Sequence, residues 1–118
     1  LPGEPVTVNG DGEQTRDFVY VTDCARANLL AATVDHQPGI YNIGWGIPTS
    51  VNQICASVKE ATGYSLAVKH GPAKLGETRH IYLNASKAGR DLGWSATVGL
   101  DEGMRKTVEY FKVAEQPA

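Results

Sequence analysis

Short stretches in which hydrophobic and polar residues alternate, or in which β-branched and aromatic residues dominate, predict strands in this chain. Val6 and Val8 alternate with polar neighbours and predict a strand over residues 5–9. Gly10-Asp11-Gly12 follows and is typical of a tight turn, because glycine adopts a positive φ without strain. Four further strands are predicted, at residues 18–21, 40–43, 66–70 and 79–83.

Four other stretches carry apolar residues at helical spacing or follow a helix-capping residue. They predict helices over residues 23–34, 51–62, 86–92 and about 100–113. Ser50 and Gln53 have the spacing of a capping box at the start of the second helix, and Gly63 has the place of the glycine that ends it. Ser86 is expected to cap the third helix.

The first predicted helix is apolar around most of its circumference, so it is expected to need cover on more than one side. Thr22 and Asp23 are expected to cap its start. With the strands before and after it, from Phe18 to Ile40, it forms the one β-α-β unit of parallel type that the order of elements allows. A parallel pair is incomplete without helices on both faces. We therefore predict a mixed α/β fold in which residues 1–118 are a single partial domain of a larger protein.

The amino-acid composition and net charge limit the kinds of molecule that this chain is expected to bind. The chain has 118 residues, of which 42% are hydrophobic, and a formal net charge of -2. This composition is globular, and it excludes a strongly basic nucleic-acid surface or a polybasic membrane patch. No apolar run approaches the roughly 18 residues of a membrane span, and the first residues lack the pattern of a secretory signal. We expect a cytoplasmic protein without a nucleic-acid or membrane partner.

The residues that most often carry chemistry are sparse. Cys24 and Cys55 lie far apart on predicted helices and are expected to be reduced and buried. The three histidines show no spacing of metal ligands, so no metal site is predicted. No tyrosine is followed four residues later by lysine, and no glycine-rich dinucleotide or phosphate loop is present. The residues alone therefore predict no catalytic centre in this chain.

Four segments nevertheless resemble one family in register. Residues 10–27, GDGEQTRDFVYVTDCARA, are similar to the G-D-G-x-x-x-R-D segment, and its continuation, of the extended short-chain dehydrogenase/reductases. The stretches at 41–51, 71–77 and 86–94 resemble the family's Y-N-[IVL]-G, P-x-R-x-G-[DE] and S-K-A…L-G-W segments. The resemblance is to the NAD-dependent nucleotide-sugar epimerases and dehydratases. Within them, residues 77–83 are most similar to the UDP-glucose 4-epimerases.

This resemblance implies that the chain is the C-terminal, nucleotide-sugar-binding part of such an enzyme. The family's NAD fingerprint and catalytic residues lie upstream, so NAD is expected in the parent enzyme but not on this chain, which is expected to be inactive alone. Residues 22–43 are expected to pack on the absent Rossmann domain, and a homodimer is expected. The implied parent reaction is C4 epimerisation of UDP-glucose or UDP-galactose through a 4-keto intermediate. A related dehydratase, decarboxylase or reductase, or a stand-alone non-catalytic binding module, is the alternative.

The resemblance also implies four substrate-binding residues. Arg16 matches the family arginine that contacts the nucleotide diphosphate, and a guanidinium suits phosphate oxygens. The alternative for Arg16 is an ion pair with Asp17 or Glu13. Lys74 occupies the place of a second phosphate-binding arginine, and an exposed loop lysine is its alternative. Thr7 and Val8 match the strand whose backbone meets the base, although Val8 also suits the core.

Overall fold

The computed structural model describes residues 4–65 and 67–115, and within these ranges the chain is a mixed α/β structure, as predicted. The strands have only two to four residues each, whereas three of the helices have 12 to 15. In chain order the elements are β1 (Val6–Asn9), β2 (Thr15–Arg16), α1 (Val21–Thr33), β3 (Thr49–Ser50), α2 (Val51–Thr62), β4 (Val68–Gly71), α3 (Ser86–Leu92) and α4 (Leu100–Ala114).

The strands form two small pairs. β1 lies parallel to β4, with Val6 opposite Val68 and Asn9 opposite Gly71. β2 lies antiparallel to β3. The strands predicted at 5–9 and 66–70 are thus confirmed in substance, with Leu66 itself outside the described residues. The parallel pair, however, is not the one that the order of elements suggested, because β1 and β4 are far apart in sequence.

Three predicted strands are absent from the described part of the chain. Residues 18–21 and 40–43 carry no strand pairing, and α1 already begins at Val21. Residues 79–83 contribute one isolated bridge, from His80 to Thr15. A strand exists through hydrogen bonds to a neighbour, and propensity alone does not supply that neighbour. The prediction of a β-α-β unit from Phe18 to Ile40 is therefore correct for its helix only.

The helices agree closely with the apolar pattern. α2 has the predicted capping box, in which the Ser50 side chain accepts from the backbone of Gln53 and the Gln53 side chain accepts from the backbone of Ser50. Gly63 ends this helix at a φ of 69°, which favours glycine. α4 packs along α2, which explains the apolar stripe of both helices.

Two predicted caps are wrong. α1 follows Tyr20 without a side-chain cap, because the carboxylate of Asp23 is turned inward and is occupied by the distant residues Thr97 and Val98. α3 likewise follows Ala85 without a side-chain cap, and the Ser86 hydroxyl binds the side chain of Asn84 instead. In both cases a competing polar partner decides where the side chain points.

The buried core is small and the molecule is flat. Four buried residues form its centre where α1 meets α3 and the segment after it: Ala27, Ala88, Leu92 and Trp94. The Cα radius of gyration is 17.0 Å and the extents are 50 × 42 × 20 Å. A compact domain of this length has a radius of gyration of about 13–14 Å. One thin layer of structure therefore leaves apolar groups on its faces.

The structure also shows the state of the two cysteines and the character of the helices. Cys24 and Cys55 are free thiols that are partly exposed, so the expectation that they are buried is wrong. Over the described ranges, no helix combines the length and the apolar character needed to cross a bilayer.

Candidate functional site

A groove of about 260 Å³ opens at the carboxyl ends of β1 and β4. Because these strands are parallel, the turn that follows β1 and the loop that follows β4 leave the sheet at the same edge. This is the edge at which open α/β sheets bind ligands. The groove is lined by Asn9, Gly10, Asp11, Gln14, Ala73, Lys74, Glu77 and Arg79.

The turn after β1 forms one wall of the groove and has little freedom. Gly10 and Gly12 have φ values of 69° and 76°, so both need glycine. The amide of Gly10 donates to the carbonyl of Gly71, which joins the turn to the end of β4. The Asn52 side chain donates to the carbonyl of Asp11 and packs against Gly12 so closely that a Cβ there would meet it at 2.1 Å.

A bidentate ion pair connects the two walls. The guanidinium of Arg79 donates to both carboxylate oxygens of Asp11, at 3.2 Å and 2.8 Å. The backbone amide of Glu13 also donates to this carboxylate. The hydrogen bond from Arg79, followed by that from Glu13, lowers the pKa of Asp11 to about 2. The Asp11 side chain raises the pKa of Arg79 in return, so the pair is charged throughout the physiological range.

Arg16 lies on β2 at the rim of the groove. Its Nη2 donates to Oε1 of Glu77 at 3.1 Å, and its Nη1 donates to the carbonyl of Thr15 at 2.7 Å. The side chains of Arg16 and Glu77 are 28% and 33% exposed, so the pair is partly screened from water. The antiparallel pairing of β2 with β3 fixes the backbone from which Arg16 projects.

Neither of the predicted alternative partners of Arg16 pairs with it. Glu13 accepts a hydrogen bond from the side chain of Asn52. The carboxylate of Asp17 accepts from the backbone amides of Trp45, Gly46 and Leu83. Asp17 thereby ties three separate segments together directly beside Arg16, which is a role that sequence spacing does not reveal.

Lys74 lies in the loop after β4, exposed and lining the groove. It has no salt bridge to any described residue of 4–65 and 67–115. Arg16 is paired with Glu77 and Arg79 with Asp11, whereas Lys74 is paired with none of the described residues. Such an arrangement suits an anion with several oxygens.

Thr7 and Val8 do not line the groove. Val8 is 3% exposed and belongs to the core, whereas Thr7 is exposed and lies opposite Lys69 in the β1–β4 pair. Of the four predicted site residues, the structure brings Arg16 and Lys74 to the groove or its rim. The groove residues that sequence reasoning did not single out are Asn9, Asp11, Gln14, Glu77 and Arg79. For Asp11 and Glu77, the only signal in the sequence was that they lie in the segments 10–27 and 71–77 that resemble the family.

The glycine turn at residues 10–12 is not a dinucleotide-binding loop. The turn at 10–12 leads into extended residues and β2 rather than into the start of a helix, so it lacks the amide cradle that holds a pyrophosphate. Among residues 4–65 and 67–115, no cluster of three or more His, Cys, Asp or Glu side chains is placed to hold a metal ion.

The sequence matches known proteins along its length. Residues 1–44 match the model of the NAD dependent epimerase/dehydratase family. The chain is 34% identical over 116 residues to the UDP-glucose 4-epimerase of Mycolicibacterium smegmatis. The matched region covers 98% of this chain and 37% of that protein. The chain thus spans little more than a third of this relative's length.

Solved structures give the same result. The chain is 44% identical to the UDP-glucose 4-epimerase of Thermotoga maritima with UDP-glucose, at a TM-score of 0.91 over 97% of this chain and 37% of that one. It is 35% identical to the UDP-glucose 4-epimerase of Thermus thermophilus in complex with NAD, at a TM-score of 0.87 over 95% and 37%. Sequence motifs, overall sequence and backbone agree, and the chain belongs to the NAD dependent epimerase/dehydratase family.

Proposed function

We propose that this chain is the nucleotide-sugar-binding part of an NAD-dependent enzyme that epimerises a UDP-sugar at C4. The observation that carries the proposal is the groove at the ends of β1 and β4, with Lys74 on its wall and Arg16 on its rim. The matched epimerase from Thermotoga maritima holds UDP-glucose, which supports the same ligand class here.

The diphosphate of the ligand is assigned to the cationic side of the groove. Arg16 presents a planar fork that suits two phosphate oxygens, and Lys74 adds a point charge. Glu77 orients the Arg16 guanidinium before the ligand arrives. The base is assigned to the backbone at the end of β1, for which Thr7 and Val8 supply the strand and buried Val8 supplies rigidity.

The remaining part of such an enzyme is proposed to cover α1 and residues 22–43. Val21, Leu29 and Ile40 are 68%, 63% and 88% exposed, and we call these three residues the α1 surface. An exposed apolar surface of this kind marks an interface. The flat shape of the chain and the unpaired segment 40–43 agree with a missing sheet beside it.

The family contains more than one reaction, so a dehydratase, decarboxylase or reductase parent is the second candidate. The family description names both epimerases and dehydratases, and the groove residues bind the nucleotide rather than the reacting carbon. A stand-alone binding module is the remaining alternative. Reading the gene upstream of Leu1 separates it from a parent enzyme, and assaying that parent with UDP-glucose identifies the reaction.

Calorimetry with UDP and uridine tests the ligand assignment on the complete protein that carries this sequence. Arg16→Ala should weaken UDP binding by roughly ten- to a hundredfold, because a charge-assisted hydrogen bond contributes about 1.5–3 kcal/mol. Uridine, which lacks phosphates, should lose little affinity. Arg105→Ala, which removes an exposed arginine of α4, is the matched control and should change neither affinity. Equal losses for UDP and uridine would instead show that Arg16 maintains the fold.

A further inference from the structure

His36 has a hydrogen-bond environment unlike those of the other two histidines. It lies three residues after the last residue of α1 and is partly buried. Its Nε2 is 2.8 Å from the carbonyl oxygen of Ala31, and its Nδ1 is 2.8 Å from the carbonyl oxygen of Gln37. Both ring nitrogens therefore face carbonyl oxygens, which only accept; Nδ1 also lies 3.4 Å from the Tyr41 hydroxyl, whose own proton goes to Asp91 at 3.1 Å.

A neutral imidazole cannot satisfy both contacts. It has one N–H, so its second nitrogen would place a lone pair against a carbonyl lone pair at hydrogen-bond distance. The imidazolium has two N–H groups and satisfies both. We propose that His36 is protonated in the folded chain and acts as a pH-dependent latch, which caps the end of α1 and fastens Gln37 and the segment after it to that helix.

The position of His36 at a helix end supports this assignment. Ala31 is in the last turn of α1, where carbonyl groups lack partners within the helix and carry partial negative charge. A cation at this end is stabilised by the helix dipole. The hydrogen bonds to Ala31 and Gln37, ahead of the charges of Asp35 and Asp91, raise the pKa of His36 above its ordinary value of 6.5.

The latch connects to α3 through Tyr41. The rings of His36 and Tyr41 meet edge to face at 5.6 Å, and the Tyr41 hydroxyl donates to Asp91 of α3 at 3.1 Å. Lys87 of α3 lies over the Tyr41 ring at 4.5 Å and donates to the carbonyl of Ile40. Burial, then Asp91, raises the pKa of Tyr41 above 10, so this phenol remains protonated while His36 titrates.

The direction of the pH effect follows from the raised pKa. The contribution of His36 to stability is fully present below pH 6.5 and is lost as the pH rises through the folded-state pKa of His36. Above that pH the imidazole releases either Ala31 or Gln37. The segment from Gln37 to Tyr41 then opens on the α1 side, while Lys87 and Asp91 still hold its far end.

Nitrogen-15 NMR of the histidine side chains tests the protonation state in the unaltered chain. At pH 6.5, both ring nitrogens of His36 should give the shifts of an imidazolium, and the titration midpoint should lie above 6.5. The heteronuclear nitrogen-15 NOE of residues 39–42 should be lower at pH 8.5 than at pH 6, because these residues gain fast backbone motion when their attachment to α1 is released. A neutral-tautomer pattern at pH 6.5 overturns the proposal.

Variants separate the latch from a general effect of pH. His36→Arg keeps a permanent cation with several N–H donors and should keep residues 39–42 ordered at both pH values. His36→Gln should leave them open at both. His70→Gln is the matched control, because His70 contacts a backbone carbonyl, that of Gly10, through one ring nitrogen only. It should leave the pH response of residues 39–42 unchanged. If His36→Gln retains the wild-type pH response, the latch assignment is wrong.

Discussion

The carboxylate of Asp23 accepts a hydrogen bond of 3.0 Å from the backbone amide of Val98, 75 residues further along the chain. The backbone amide and hydroxyl of Thr97 and the guanidinium of Arg26 donate to the same carboxylate. Asp23 is 1% exposed. Burial acts to raise its pKa, but these donors outweigh burial and hold the pKa of Asp23 at about 2. A buried charge thus fastens α1 to the segment that leads into α4.

This geometry predicts acid-sensitive stability. Because the pKa of Asp23 is lower in the folded chain than its ordinary value of 3.8, its contribution is present above pH 3.8 and is lost as the pH falls through 2. The difference corresponds to about 2 kcal/mol of unfolding free energy. Urea unfolding between pH 6 and pH 2 should show this loss in the wild type, and Asp23→Asn should be less stable at pH 6 with a shallower acid dependence.

The control for Asp23 is Glu109→Gln, which removes an exposed carboxylate paired within α4. Exposed pairs of this kind contribute little, so the stability of that variant should stay within about 0.5 kcal/mol of wild type. An Asp23→Asn profile parallel to the wild type would contradict the assigned role. Asp11, whose pKa is also lowered, accounts for acid dependence that remains in both variants.

The sequence predicted those parts of the fold that depend on neighbours close in the chain. α2 agrees to the residue because its capping box and Gly63 are local signals. The strands at 18–21 and 40–43 failed because strand formation needs a partner that local sequence does not contain. Asp23 resembled a cap locally, and only the approach of residues 97 and 98 gave its carboxylate another role.

The candidate site was predictable where a motif marks a side chain. Arg16 and Lys74 reach the groove or its rim, as their positions in the matching segments implied. The Asp11–Arg79 pair was not predictable, because it joins residues 68 positions apart through the parallel contact of β1 with β4. The prediction of Thr7 and Val8 identified the strand that leads to the groove. The residue of that strand that lines the groove is Asn9, because it is the last residue of β1.

Gly12 supports a prediction about the groove wall. Gly12→Ala places a residue with a Cβ at a φ of 76° and drives it into Asn52, so a loss of roughly 2–4 kcal/mol of stability is expected. Gly63→Ala is the matched control, since its φ is 69° but open space surrounds it, and its cost should be about 1 kcal/mol. Thermal unfolding measures both. Adding Asn52→Ala to Gly12→Ala should restore part of the loss, and additive effects of the two substitutions would contradict the contact.

Lys74 supports a prediction about the phosphate contacts in the complete protein. Lys74→Ala should weaken UDP binding less than Arg16→Ala, because a loop ammonium is well solvated and is not bidentate. Lys74→Arg should tighten UDP binding several-fold, since the guanidinium fork suits phosphate oxygens better. Calorimetry with UDP measures both, and uridine is the control ligand. Unchanged UDP affinity in both variants would remove Lys74 from the site.

A further prediction concerns activity. The purified chain of 118 residues, supplied with NAD and a UDP-sugar, should produce neither an NADH transient nor an epimerised product. The reason is that its sequence contains neither a glycine-rich dinucleotide loop nor a Tyr-x-x-x-Lys pair. NADH fluorescence and product analysis test this together. Product formed by the purified chain would show that the catalytic groups lie within it.

The α1 surface predicts self-association of the isolated chain. Val21, Leu29 and Ile40 expose apolar side chains, and segment 40–43, which includes Ile40, has no strand partner; both features favour contact with a second copy. Sedimentation should show a dimer, formed by surface contact or by exchange of an element. Leu29→Glu and Ile40→Glu should shift it to monomer, whereas Leu75→Glu should not, because Leu75 is 98% exposed on the loop after β4. If the wild-type chain is monomeric at high concentration and unfolds in a sharp two-state transition, the α1 surface is stable in water and the prediction of self-association is wrong.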